Sequence, residues 1–164
     1  MITCHKGDHL NDILSAAKNK FGLQSTLFLA CHGNQGFLEL GAANIHRSTM
    51  SLFKQFRYLL KKDGQRFIIV GACNVAQHYF NAPGARGNTF CSHMARLTGA
   101  TVVATGTYQV CDIDYDNLAA TCTEGPIEGK AIAFYPTLET KELGQNLSVS
   151  KILDKLKTNH LLNL

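Results

Sequence analysis

Residues 67–73 read FIIVGAC, apolar at consecutive rather than alternate positions, and a run that short can be kept from water only as a strand covered on both faces. Residues 26–31 (TLFLAC) and 101–106 (TVVATG) have the same character. Helical spacing lies around these runs. Leu10, Ile13, Leu14, Ala17 and Phe21 mark a helix over residues 9–21, Met50, Phe53, Phe56, Leu59 and Leu60 another over 48–62, and residues 89–97 a third. Gly22 and Asp63-Gly64 supply stop signals after the first two. Such alternation predicts an α/β fold: a three-layer α/β/α sandwich around a mostly parallel sheet. A short strand at 2–5, a hairpin arm at 36–41, a strand at 131–135 and a C-terminal helix from about residue 148 complete the expectation.

The chain has 164 residues, the size of one domain, so residues 1–164 are expected to share a single core. Apolar residues make up 45% and charged residues 17%, a balance that excludes disorder. No apolar run approaches the roughly 18 residues of a membrane span, and the opening MITCHKGDHLNDIL lacks the apolar stretch of an export signal. The six cysteines lie mostly in or beside apolar runs, which predicts reduced thiols in a cytoplasmic protein. The net charge of +4 is scattered. Its densest group, Arg57, Lys61, Lys62 and Arg66, reads as a solvated helix face, so neither nucleic acid nor membrane is an expected partner.

Two of the buried runs end in reactive side chains, His32 after LFLAC and Cys73 after FIIVGA, 41 residues apart. Parallel strands bring such ends to one edge of a sheet, where the sites of open α/β folds gather. An imidazole can take a thiol proton and return it to a leaving group, and the thiolate is the form that attacks an acyl carbon. Gly33, without a side chain, lets its backbone N–H approach a developing oxyanion, and the Cys73 N–H offers a second donor.

In these segments the chain resembles the caspase and haemoglobinase fold cysteine peptidases, in which one apolar strand ends in His-Gly and a later one in Ala-Cys. Residues 31–36 (CHGNQG), Leu38, Leu40-Gly41, residues 71–76 (GACNVA) and residues 97–104 (LTGATVVA) carry the resemblance. It is nearest to the caspase-like domains of large bacterial surface proteins and to the related CHAT group, and it covers about residues 10–110. The resemblance implies a caspase-like sandwich and a thiol protease acting on a peptide or protein, with Cys73 as nucleophile and His32 as base. A first strand common in that family is missing before the first helix or supplied differently. No cofactor is called for.

Taken singly, a Cys at a strand end is a small buried hydrophobe and a His a satisfied polar group. It is the paired strand ends, Gly33 and the third matching segment that favour catalysis. The rivals are an inactive scaffold that kept the fold and a thiol hydrolase of non-peptide acyl groups. Zinc is the weaker reading of Cys4-His5, Cys31-His32 and Cys73 with His78, because close Cys-x-x-Cys pairs are absent, so no metal is expected. The segment after residue 106 carries Asp112, Asp114 and Asp116. Asp112 and Asp114 are the candidates to bind a substrate Arg or Lys, against the plainer reading of a solvated acidic loop.

Overall fold

The computed structural model describes residues 7–77, 87–109, 113–114, 119–120 and 127–161. The order is α1 (Leu10–Phe21), β1 (Thr26–Ala30), β2 (His32–Asn34), β3 (Phe37–Leu40), β4 (Ala43–Ile45), a 3₁₀ helix (Met50–Tyr58), β5 (Phe67–Gly71) and α2 (Gly87–Thr98). Then follow β6 (Thr101–Thr105), β7 (Ile113–Asp114), β8 (Ala119–Ala120), β9 (Ile127–Phe134), β10 (Thr140–Leu147) and α3 (Val149–Leu161). Five strands form the main sheet in the order β1-β5-β6-β9-β10. The β1/β5 and β5/β6 pairs are parallel, whereas β6/β9 and β9/β10 are antiparallel. The sheet of this α/β fold is therefore mixed. β9 joins β10 through a tight connection, and such a connection can only reverse the chain.

Strand alternation sorts the core into two faces. Ile68, Val70, Val102, Ala104 and Phe134 pack with Leu10 and Leu14 of α1, Phe53 and Phe56 of the 3₁₀ helix, and Phe90 and Met94 of α2. Phe67, Ile69, Val103, Ala131 and Ala133 pack with Leu143 and with Ile152 and Leu156 of α3. β5 is buried at all five positions, as its uninterrupted apolar run requires.

Several expectations are corrected. Among the described strands β1 lies at the end of the main sheet, and it is only half-buried, so TLFLAC is not covered as FIIVG is. The 48–62 helix is a 3₁₀ helix of nine residues. Met50, Phe53, Phe56 and Leu59 recur every third residue, which is the 3₁₀ repeat and puts all four on one buried stripe. Phe21 is 44% exposed rather than part of the core face of α1. The strand expected at 131–135 begins earlier, at Ile127, and β10 was not foreseen. The strand expected at 2–5 lies outside the described residues.

Candidate active site

The parallel register of β1 and β5 pairs Ala30 with Gly71. His32 and Cys73 each lie two residues beyond that pair, so both leave the sheet at the same edge. There the chain turns into a separate three-stranded sheet, β2-β3-β4, in which His32 stands opposite Glu39, Gly33 opposite Leu38 and Asn34 opposite Phe37. The faces of this sheet differ. Leu38 and Ile45 point into the core and are fully buried, while His32 and Asn44 are exposed on the other side with Glu39.

Gly33 shares the core-facing side and is fitted against the Cys73 loop. A Cβ at this position would stand 2.8 Å from the Ala72 Cβ, 2.8 Å from Val75 Cγ2 and 3.2 Å from the Cys73 carbonyl oxygen. Only glycine permits that approach. Because a two-residue turn closes the hairpin at Asn34 and Phe37, the Gly33–Leu38 pair is the one that exchanges no hydrogen bonds. The Gly33 N–H therefore turns away from β3 to the free edge of β2. The Cys73 N–H likewise makes no hydrogen bond among the described residues. Among the described residues neither N–H has a partner, and both lie where the His32 and Cys73 segments leave the main sheet.

The loop bearing Cys73 is held from two sides. From the hairpin, the Gly36 N–H donates to the Val75 carbonyl (3.2 Å) and Gln35 Nε2 to the Gln77 carbonyl (3.1 Å). From the segment after β6, the Thr107 carbonyl accepts from Asn74 N–H (2.8 Å) and the Thr105 carbonyl from Ala76 N–H (2.9 Å). Asn74 takes the left-handed φ of 54°, which Asn tolerates better than most residues and which turns the chain sharply just after Cys73. The Cα of Gly87, at the start of α2, faces the backbone of residues 75–77 at a distance no side chain would allow.

The Cys73 sulfur is half-buried. The Gln109 N–H donates to it at 3.4 Å, and its own S–H donates to the Gln109 carbonyl at 3.6 Å, within reach of the larger sulfur atom. Among the described residues no hydrogen bond joins it to the His32 ring. His32 is exposed, on the face of β2 opposite to Gly33. Cys91 is also a free thiol, and its complete burial pushes it far above the ordinary range.

Asp112 and Asp116 lie outside the described residues. Of Asp114 the backbone alone is placed, in β7 opposite Ala119 of β8. No group of three or more His, Cys, Asp or Glu side chains converges on a possible metal position among the described residues, and no described helix is long and apolar enough to cross a membrane. Sequence reasoning missed Gln109 altogether, because its contact with the sulfur is made by main-chain atoms that any residue carries. Residues 1–109 match the family described as "Domain of unknown function (DUF4347)". No curated protein and no solved structure matches the chain.

Proposed function

The chain belongs to the family described as Domain of unknown function (DUF4347), and from that starting point we propose that it is a cysteine-dependent hydrolase, a caspase-like peptidase with Cys73 as nucleophile and His32 as general base. One observation carries the reading: Cys73 and His32 follow neighbouring parallel strands two residues beyond a paired position, with Gly33 seated on the Cys73 carbonyl and its N–H turned away from β3. Helices against both faces of the sheet agree with a three-layer, caspase-like sandwich. A cytoplasmic setting that keeps the thiols reduced belongs to the same proposal.

In this reaction the Cys73 thiol gives its proton to the His32 ring and the sulfur bonds to the substrate carbonyl carbon. The Gly33 and Cys73 N–H groups hold the resulting oxyanion. The amide C–N bond then breaks as His32 returns the proton to the departing amine, leaving a thioester. Water, deprotonated by the same ring, attacks the thioester, and release of the carboxylic acid restores the thiol. Asp112 and Asp114, in the segment that follows β6, are the proposed contacts for a basic residue of the substrate.

A second reading, a scaffold without activity, is favoured by the Cys73 sulfur being engaged by Gln109 and not by His32. Turnover of fluorogenic peptide amides and of small thioesters separates the readings. The proposal expects amide turnover that Cys73→Ala abolishes and His32→Ala lowers by about 10²–10⁴-fold, the usual worth of a general base. Turnover confined to thioesters would redirect the reading to non-peptide acyl groups, and no turnover at all would support the scaffold.

A further inference from the structure

Gln109 is the most heavily bonded side chain near the sulfur, and neither half of its amide is idle. Its Nε2 donates to Thr105 Oγ1 at 2.7 Å and to the Glu128 carbonyl at 2.9 Å, while its Oε1 accepts from the Glu128 N–H at 3.0 Å. Thr105 is the last residue of β6 and is fully buried, and Glu128 is the second residue of β9. The amide thus straps the segment after β6 to the ends of two neighbouring strands. Thr107 Oγ1 adds a bond to the same Glu128 carbonyl at 2.7 Å. At the point so fixed, the main chain of Gln109 meets Cys73 Sγ with one donor and one acceptor.

We infer that Gln109 is a positioning residue for the Cys73 thiol: its side-chain amide anchors the main-chain N–H that stabilises the thiolate and the carbonyl that holds the resting S–H. The chemistry requires an amide. Glutamine presents donor and acceptor in one plane, whereas glutamate lacks the donor and methionine lacks both. A main-chain N–H aimed at sulfur favours the charged form of the thiol. The carbonyl favours the protonated form, so the thiol rests on Gln109 until its proton leaves. Tyr108 beside it is 74% accessible, so its ring adds little packing to this segment.

The inference rests on Cys73 being the nucleophile, and the experiment keeps the two apart because it reads the thiol rather than turnover. The rate of Cys73 alkylation by iodoacetamide is followed against pH, with mass mapping of the modified cysteine, in the full chain and in Gln109→Met and Gln109→Glu. Methionine keeps the length of the side chain and removes both halves of the amide. The midpoint of the alkylation profile is expected to move in Gln109→Met, because the N–H that favours the thiolate and the carbonyl that favours the thiol both lose their anchor, and to move in Gln109→Glu, which lacks the donor half of the amide. A lowered melting temperature with an unmoved midpoint would mark Gln109 as merely structural and overturn the inference. If Gln109→Met does not fold, Thr105→Val removes the hydroxyl that accepts from Gln109 Nε2 and, more weakly, from Thr107 Oγ1, and an unmoved midpoint there overturns it equally. A shifted midpoint in a chain that hydrolyses nothing would leave the inference standing and remove the peptidase reading. Hydrolysis with an unmoved midpoint would do the reverse.

Discussion

Gly33→Ala is the substitution whose consequence follows most directly from the packing around the site. The backbone φ at Gly33 is not in the left-handed region, so alanine brings no dihedral strain and the whole cost is steric. The new methyl would stand 2.8 Å from both the Ala72 Cβ and Val75 Cγ2. Neither can step aside, because the first is fixed to the backbone and Val75 is fully buried. Overpacking of a filled core costs about 1–3 kcal/mol and the stiffer unfolded chain returns about 0.4–1 kcal/mol; because two contacts at 2.8 Å with atoms that cannot yield put the cost in the upper half of its range, about 2–3 kcal/mol, the net loss is about 1–2.6 kcal/mol. At about 2–4 °C per kcal/mol for a chain of this size, the melting temperature should fall by roughly 2–10 °C. Gly7→Ala is the control, since nothing lies within 4 Å of its Cβ position, and it should melt no lower than the parent and up to a few degrees higher, by about the 0.4–1 kcal/mol of the stiffer unfolded chain. Activity is expected to fall further than stability, since relief of the clash moves the Gly33 N–H away from the Cys73 loop. Thermal melts of both variants, with turnover measured well below the transition, are the assay. A Gly33→Ala chain as stable and as active as the parent would show that β2 is not seated on the Cys73 loop as described.

Three further outcomes are expected. Phe53→Ala should cost about 3–5 kcal/mol in urea unfolding, because the ring is fully buried, edge-on to Phe90 at 5.3 Å and tilted against Phe56 at 5.9 Å; a loss under about 1 kcal/mol would contradict that packing. Burial keeps the Cys91 thiol neutral in the folded chain, so only the unfolded chain ionises as pH rises above about 8.5, and stability should fall there by an amount that Cys91→Ala reduces. Equal pH dependence of parent and variant would remove that contribution. A peptide panel varied at the residue before the scissile bond should show preference for Arg or Lys, lost in Asp112→Asn or Asp114→Asn; preference for Leu or Asp points instead to a solvated acidic loop.

Where one kind of period dominated, the fold could be read from the sequence. β5 was legible because five consecutive apolar residues are hard to bury as anything but a strand covered on both sides. TLFLAC looked alike but is only half-buried, since how far a run is covered depends on partners distant in sequence. The 3₁₀ helix was misread because a spacing of three lies within the tolerance allowed for an α-helix, though strict repetition from Met50 to Leu59 was the available clue. β10 escaped notice because TKELGQNL is exposed at five of its eight positions and shifts register between Glu142 and Gly144, so it shows no steady alternation. Of the candidate site, Cys73, His32 and Gly33 were legible as candidates because each ends or follows an apolar run. Gln109 had no such marker. Its part is played by backbone atoms and by an amide that meets its partners only once β6 and β9 lie side by side.

The central claim, that His32 activates Cys73, is tested most directly by reaction of the native chain with a peptide acyloxymethyl ketone, followed by intact mass and mapping of the adduct. His32 is exposed, so His32→Ala should stay within about 0.5 kcal/mol of the parent's stability and report on chemistry alone. One adduct, on Cys73, formed rapidly in the parent and slowed by two orders of magnitude or more in His32→Ala, is the predicted result. Labelling of Cys31 or Cys91 with Cys73 unmodified, or Cys73 labelling indifferent to His32, would contradict it.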